Sequence, residues 1–350
     1  MAYSTINDPS AQFQAQLYTG NGSNSHDITN TGNANLQPDL IWIKDRSAST
    51  NPNIQDTTRG INKQLFTDGT PAQYTDAAWG HVNSVASDGF QVDVGNSASE
   101  ANTNKNSNTY VAWQWKANAG NEVANNDGNA TSYVQVNSTA GMSIIRFTGG
   151  GSTAYNLGHG LTKTPSFFLA KNYSSTSGWY GMFPKFWGGN QSSGLNTTDA
   201  FGTVSGFTGF TTSVFQEGQN DTDNYIAYAW IPIKGYSAFG TYKCNNNADG
   251  PKIFTGFKPA FVILKMNSAG TNWRMYDSKR EGFNPENNFL LANSQGAENT
   301  DANSEIEFHS NGFKCVQAEG DINYNTERVL YAAWADKPSC FSDGVPTTAF

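Results

Sequence analysis

One phrase recurs three times in this chain. Residues 37–46 read QPDLIWIKDR, 164–171 read TPSFFLAK and 258–265 read KPAFVILK. Each sets a proline before an apolar run and a lysine after it, with six positions from Pro to Lys: Pro38 to Lys44, Pro165 to Lys171, Pro259 to Lys265. Proline fits the first residue of a strand, where no ladder N–H is needed. The run that follows does not alternate, so it describes a strand covered on both faces. One face of a simple sandwich strand is exposed; a loop, another repeat or another subunit must supply the second covering. The lysine reads as a solvated strand end that discourages edge pairing.

Other landmarks fall into register with these strands. Upstream come a strand and a Gly/Asn turn, in QLYTGNGSNSHDI (16–28), SIIRFTGGGSTAYNL (143–157) and SAFGTYKCNNNADGPKIF (237–254). Downstream a Gly-Phe pair opens another strand, in SDGFQV (87–92), FTGFTT (207–212) and SNGFKC (310–315). An aromatic strand ending at tryptophan closes each set: YVAWQW (110–115), YIAYAW (225–230) and VLYAAW (329–334). Landmarks kept in one order three times mark an internal repeat. Composition agrees with short strands joined by turns: 35 glycines, 13% aromatic and only 14% charged residues, with Asn, Ser and Thr between the apolar runs. The expected fold is all-β, three tandem β-sandwich-like repeats with extended terminal arms. The expected boundaries are an N-terminal arm 1–12, repeats at 13–117, 142–235 and 236–338, a Gly/Asn linker 118–141 that carries a short strand, and a C-terminal tail 339–350.

Repeats one and three share more. IQDTTRG (54–60) matches MYDSKREG (275–282), and LFTDGTPAQYTD (65–76) matches LLANSQGAENTD (290–301). Their Asp–Arg pairs, Asp56/Arg59 and Asp277/Arg280, read as ion pairs closing a turn, because a catalytic pair is needed once. Repeat two loses the pair and places Trp179, Tyr180, Phe183, Phe186 and Trp187 within nine residues. These five rings are the candidate contact surface for a glycan or a protein partner; set against that is burial in a core or between subunits, the commoner fate of such a cluster.

Chemistry is otherwise sparse. His26, His81, His159 and His309 follow no metal-ligand spacing, and His159, between glycines, reads as turn packing. GNGS (20–23) and GGGS (149–152) fall at hairpin positions and lack a P-loop lysine. The acid pairs Glu305/Glu307 and Asp221/Asp223 read as solvated strand or loop residues before they read as a glycosidase pair. NNDGN (125–129) and QNDTDN (219–224) offer oxygens for Ca²⁺ without an EF-hand pattern. No catalytic, cofactor or metal site is therefore expected. Cys244, Cys315 and Cys340 do not form a disulfide framework and are expected as thiols. The net charge of −8 provides no basic patch for nucleic acid, and no run is long enough for a membrane span. The opening MAYSTINDPSAQFQ lacks a secretory signal's basic and apolar segments, so folding in the cytoplasm of synthesis is expected.

LYTGNGS, then LQPDLIWIKDR, DTTRG, SDGF and TYVAWQWKA, resembles a repeated domain of unknown function. That domain occurs in structural proteins of marine phages, notably those of cyanobacteria and Pelagibacter-type hosts. The opening STINDPSAQFQ is similar to those proteins too, and the resemblance weakens over 172–206. It implies a non-enzymatic virion component, assembled in the host cytoplasm and exposed as a capsid or tail decoration, knob or fibre-type subunit among other virion proteins. The alternatives are a glycan-binding tail adhesin contacting the host surface and, behind it, a polysaccharide depolymerase. Self-association is expected, a trimer first, through the aromatic loop 179–187 and the tail 339–350.

Overall fold

The computed structural model describes residues 4–338 apart from 76, 97–101, 269, 301–304 and 319. Nearly all regular structure is strand; among the described residues the helical elements are two three-residue 3₁₀ turns, Pro9–Ala11 and Ala77–Trp79. The strands form three large antiparallel sheets, each partnered by a three-stranded one.

At the centre of each large sheet three strands share one pattern. The strand ending at tryptophan lies in the middle, flanked by the upstream strand and by the strand that follows the proline. In the first sheet, Thr109–Trp115 runs between Phe13–Thr19 and Leu40–Asp45, with Trp115 opposite both Phe13 and Leu40. In the second, Asn224–Trp230 runs between Met142–Thr148 and Phe167–Asn172, with Trp230 opposite Met142 and Phe167. In the third, Arg328–Trp334 runs between Ser237–Lys243 and Phe261–Met266, with Trp334 opposite Ser237 and Phe261. The three lysines occupy one register position, opposite Val111, Ile226 and Leu330.

The small sheets also correspond. His26–Thr29, Gly89–Asp93 and His81–Ala86 form the first, Tyr155–Gly158, Val214–Glu217 and Phe207–Thr208 the second, Lys252–Phe254, Gly312–Cys315 and Ile306–His309 the third. Phe90, Phe215 and Phe313 face Ile28, Leu157 and Ile253. This corrects one landmark: Gly209-Phe210 lies in the hairpin before Val214–Glu217, and Val214-Phe215 occupies the place of Gly89-Phe90 and Gly312-Phe313. Gly89 needs its φ of +120°, and a Cβ there would fall on the Ile28 carbonyl. Val214 avoids both demands because the longer hairpin leads into it by a different path.

The double-faced apolar strands now have an explanation. Ile41 and Ile43 of the first pack toward its small sheet with Ile28, Phe90 and Val92, whereas Leu40 and Trp42 face a core common to all three sheets. Phe168 and Ala170 of the second, and Val262 and Leu264 of the third, likewise face their own small sheets. Phe167, Leu169, Phe261 and Ile263 face the common core. Other repeats of the same chain provide the second covering. At the middle of the core Trp115, Trp230 and Trp334 meet, with ring centroids 5.9, 5.3 and 5.7 Å apart. Their indole N–H groups have no hydrogen-bond partner among the described residues, so the trio contributes by apolar burial and ring packing.

Three expectations need correction. The lysines are not solvated strand ends: Lys44, Lys171 and Lys265 are all fully buried. From residue 4 the N-terminal arm packs onto the body, with Ile6 in the common core and the Ser4 hydroxyl donating to the Lys234 carbonyl. The segment 118–141 is more than a linker: Val123–Asn125 and Ser132–Asn137 extend the second sheet beyond Met142–Thr148. The tail 339–350, with Cys340, lies outside the described residues. Cys244 and Cys315 are free, buried thiols in the core of the third sheet pair.

A polar cleft at one of three joints

The sheets meet at three joints, and corresponding residues form each. In the joint between the first and second sheets, Tyr228 Oη donates to Asp56 Oδ2 at 2.7 Å. Between the third and first, Trp113 Nε1 donates to Asp277 Oδ2 at 3.2 Å. Tyr228 and Trp113 both sit two residues before the closing tryptophan. Asp56 and Asp277 both lie opposite the first residue of the post-proline strand, Leu40 and Phe261. Between the second and third sheets the same places hold Phe183 and Ala332. There Phe183 packs against Phe167, Phe201 and Trp273 at 4.8, 6.3 and 6.4 Å. Repeat two has no Asp–Arg pair at the joint where the facing residue, Ala332, has no side-chain donor.

Both Asp–Arg pairs close their turns. Asp56 accepts the Arg59 backbone N–H at 2.8 Å and its Nε at 2.6 Å; Asp277 accepts those of Arg280 at 3.0 and 2.7 Å. Burial alone would lower both guanidinium pKa values, but their carboxylates outweigh it and hold them above the usual value.

Two of the three lysines close joints at the other end. Lys44 Nζ donates to the carbonyls of Thr50 and, across the joint, Gln295. Lys171 Nζ donates to Asn172 O and, across the joint, Thr70 O. Lys265 Nζ stays within its own sheet, on Met266 O, Ser268 O and Thr271 Oγ1. Burial pulls each ammonium down to about 8.

The aromatic loop belongs to these joints. Trp179 is buried and its Nε1 donates to Phe66 O of the first sheet; Trp273 does the same to Gly194 O of the second. Phe183 is buried, and Tyr180 is half-buried, edge-on to Phe207 with its hydroxyl donating to Gln219 Oε1. Phe186 and Trp187 are half-buried against the common core. Gly181 lets Trp273 approach, since a Cβ there would lie 2.7 Å from the indole. Two of the five candidate rings, Trp179 and Phe183, are therefore buried within the chain, and Tyr180, Phe186 and Trp187 are half-buried.

The remaining candidates are engaged in local structure. His159 is buried, with Nδ1 accepting the Leu161 N–H. Glu307 lies 3.2 Å from His309, and Glu305 accepts from Gln317. Asp221 accepts from the Tyr225 hydroxyl and Asp223 from Ser175 and Asn172. Among the described residues no group of three or more His, Cys, Asp or Glu side chains is gathered as a metal site.

A cleft of about 350 Å³ opens at the first–second joint, lined by Thr58, Arg59, Lys63, Gln73, Gly120, Glu122, Arg146 and Tyr173. Its floor is Arg59, fixed by Asp56 and donating from Nη1 to Gln73 Oε1 at 3.2 Å. Its rim comes from the connecting segment. The buried Asp39 carboxylate accepts the N–H groups of Ala117, Ala119 and Gly120, which holds the turn at 117–120 in place. Glu122 grips Arg146 with two bonds of 3.0 and 2.6 Å, and the Arg146 guanidinium lies 4.7 Å above the Tyr133 ring. The Glu122 hydrogen bond raises the Arg146 pKa. Such a lining can orient and charge-neutralise a polar guest. Its residues are scattered from 58 to 173, so no local motif announced it.

A family model described as a domain of unknown function (DUF7483) matches residues 8–338. No curated protein and no solved structure matches the chain. The match runs unbroken through all three sheet pairs, and the chain belongs to the DUF7483 family.

Proposed function

We propose that the protein is a non-enzymatic structural subunit of a phage particle, exposed as a capsid or tail decoration, knob or fibre-type element. The observation that carries this reading is where the chemistry goes. The carboxylates of Asp56 and Asp277, the ammonium groups of Lys44 and Lys171, and the N–H groups of Trp113, Trp179 and Trp273 are spent on joining one sheet to another. That is the economy of a building element. The resemblance of LYTGNGS, LQPDLIWIKDR and TYVAWQWKA to structural proteins of marine phages supplies the particle.

Association with other virion proteins, and with further copies, belongs to the same proposal. Within 179–187 the rings left for a contact surface are the half-buried Tyr180, Phe186 and Trp187. One chain already arranges three matched sheets around one tryptophan cluster, a shape suited to a site of threefold symmetry. Antibody raised against the protein should label purified virions at capsid or tail, and peptides from residues 8–338 should be recovered from them. Virions lacking the protein altogether would reject the reading. A tail adhesin is the second reading, and the cleft favours it more than the aromatic loop does.

A further inference from the structure

Two joints in this chain differ by one ion pair. In the third–first joint Arg280 Nη1 bonds Glu298 Oε2 at 3.1 Å, and Arg46 holds the same carboxylate with two bonds of 2.9 and 3.0 Å. The backbone N–H of Glu298 donates to Arg46 O at 2.8 Å. In the first–second joint Gln73 takes the place of Glu298 and Tyr173 that of Arg46. The correspondence holds in the backbone, where the Gln73 N–H donates to Tyr173 O at 2.9 Å, and in the guanidinium contact of Arg59 to Gln73. So one joint is sealed by a carboxylate between two arginines, and the other has a neutral amide at that point.

The cleft lies at this neutral point, and its charges do not balance. Arg59, Lys63 and Arg146 line it against one carboxylate, Glu122, which is already held by Arg146. Asp56, beneath Arg59, balances that guanidinium. Lys63 is left as the surplus cation. The rest of the lining is hydrogen-bonding: the Thr58 and Tyr173 hydroxyls, the Gln73 amide and the polar backbone at Gly120. A volume of about 350 Å³ falls at the small end of ligand pockets, matched to one sugar-sized guest.

We infer that this cleft is a binding site for a small polyhydroxylated carboxylate, an acidic monosaccharide unit, with its carboxylate on Lys63. The guest's carboxylate meets the surplus charge of Lys63, beside the amide that stands where the other joint has Glu298. Its hydroxyls meet Thr58, Tyr173 and the Gln73 amide. Arg59 is held by Asp56, Gln73 and the Ile54 carbonyl, and Arg146 by both oxygens of Glu122, so the Lys63 ammonium is the cation left to pair with the guest's carboxylate. The site is independent of where the protein sits in a particle, so it can fail while the structural reading stands, and the reverse.

The test uses the full chain with three probes, glucuronate, glucose and inorganic phosphate, titrated by isothermal calorimetry and by amide chemical shifts. Glucuronate should bind saturably with one site per chain, glucose at least tenfold more weakly, and phosphate more weakly than glucuronate. Gln73→Glu installs the carboxylate of the sister joint and should weaken glucuronate at least tenfold while the protein melts no lower than the wild type. Lys63→Ala, at a side chain that lines the cleft and takes no part in the Asp56–Arg59 pair, should weaken it several-fold with the melt unchanged. No glucuronate binding, phosphate binding in preference to it, or glucuronate binding indifferent to both substitutions would each overturn the assignment.

Discussion

The hydroxyl of Tyr228 donates to the carboxylate of Asp56 across 172 residues of chain, and Trp113 does the same to Asp277 across 164. These bonds cross the joints between sheets, at corresponding places, and each acceptor also holds a buried arginine. The acceptor side of the joint is thus a prepaired anion.

Removing the donor and removing the acceptor should therefore differ. In Tyr228→Phe, Asp56 keeps Arg59, and the expected cost is about 1.5–3 kcal/mol, that of a hydrogen bond to a charged group. In Asp56→Ala a buried guanidinium loses its counterion, and the cost should reach roughly 3–5 kcal/mol. Urea denaturation of both variants checks the order. Equal losses would show that Asp56 does not pair with Arg59 as placed.

The joint between the second and third sheets invites the reverse experiment. Phe183 is fully buried among Phe167, Phe201 and Trp273, facing a position where Ala332 has no donor. Phe183→Asp would recreate the residue of the other joints without its arginine or its hydrogen bond. Burial of an unpaired charge and loss of ring packing act together, and the expected loss exceeds about 4 kcal/mol. The measurement is the thermal midpoint, with Phe183→Leu as the volume control. A Phe183→Asp variant as stable as Phe183→Leu would mean that this joint opens to water.

The sequence made much of this legible. The post-proline strand, its tryptophan partner and the Asp–Arg turn could all be read, because each is a contiguous pattern with a local physical reason. What could not be read was convergence. Trp115, Trp230 and Trp334 meet only because three sheets share one core, and no spacing encodes that. The lysines misled for the same reason: a lysine after an apolar run ends in water unless another part of the chain brings carbonyls to its ammonium, as Thr70 and Gln295 do. For the cleft a signal existed, in the aligned text of 65–76 and 290–301, where Gln73 stands against Glu298. It gains meaning only when Arg59 and Arg280 are seen to reach those residues.

The tryptophan trio predicts how the chain unfolds. Trp230→Ala removes the ring that touches both other tryptophans and Phe167, at an expected cost of roughly 3–5 kcal/mol. Trp230→Phe should cost clearly less, because the indole N–H makes no bond that is lost. All three sheets share the core, so wild type and variants should melt in a single transition, with far-ultraviolet dichroism and tryptophan fluorescence superimposed. Separate transitions would show three independent domains instead.

The buried lysines predict how stability depends on pH. Burial lowers Lys265 from 10.5 in the open chain to about 8, as it does Lys44 and Lys171. Below pH 8 the ammonium is charged in both folded and unfolded chains, and the folded one bears the desolvation cost. Above 8 the folded chain sheds the proton while the unfolded chain keeps it up to 10.5, so this group adds stability as pH rises through that window and loses it as pH falls. The gain between pH 7.5 and 9.5 is roughly 2 kcal/mol per lysine by that linkage. Glu286, raised to about 8 by burial and by Glu281 and Asp277, works in the opposite sense between 4.5 and 8. The thiols of Cys244 and Cys315, pushed up to about 11 and about 12 by burial, oppose it above 9. The lysine contribution is isolated by comparison with Lys265→Met, at the site where Thr271 Oγ1 already serves the Ser268 carbonyl at 3.0 Å. Urea midpoints at pH 7.5 and 9.5 should rise less in Lys265→Met than in wild type, by the equivalent of roughly 2 kcal/mol. Parallel changes in the two proteins would mean that Lys265 reaches water and titrates as it does in the unfolded chain.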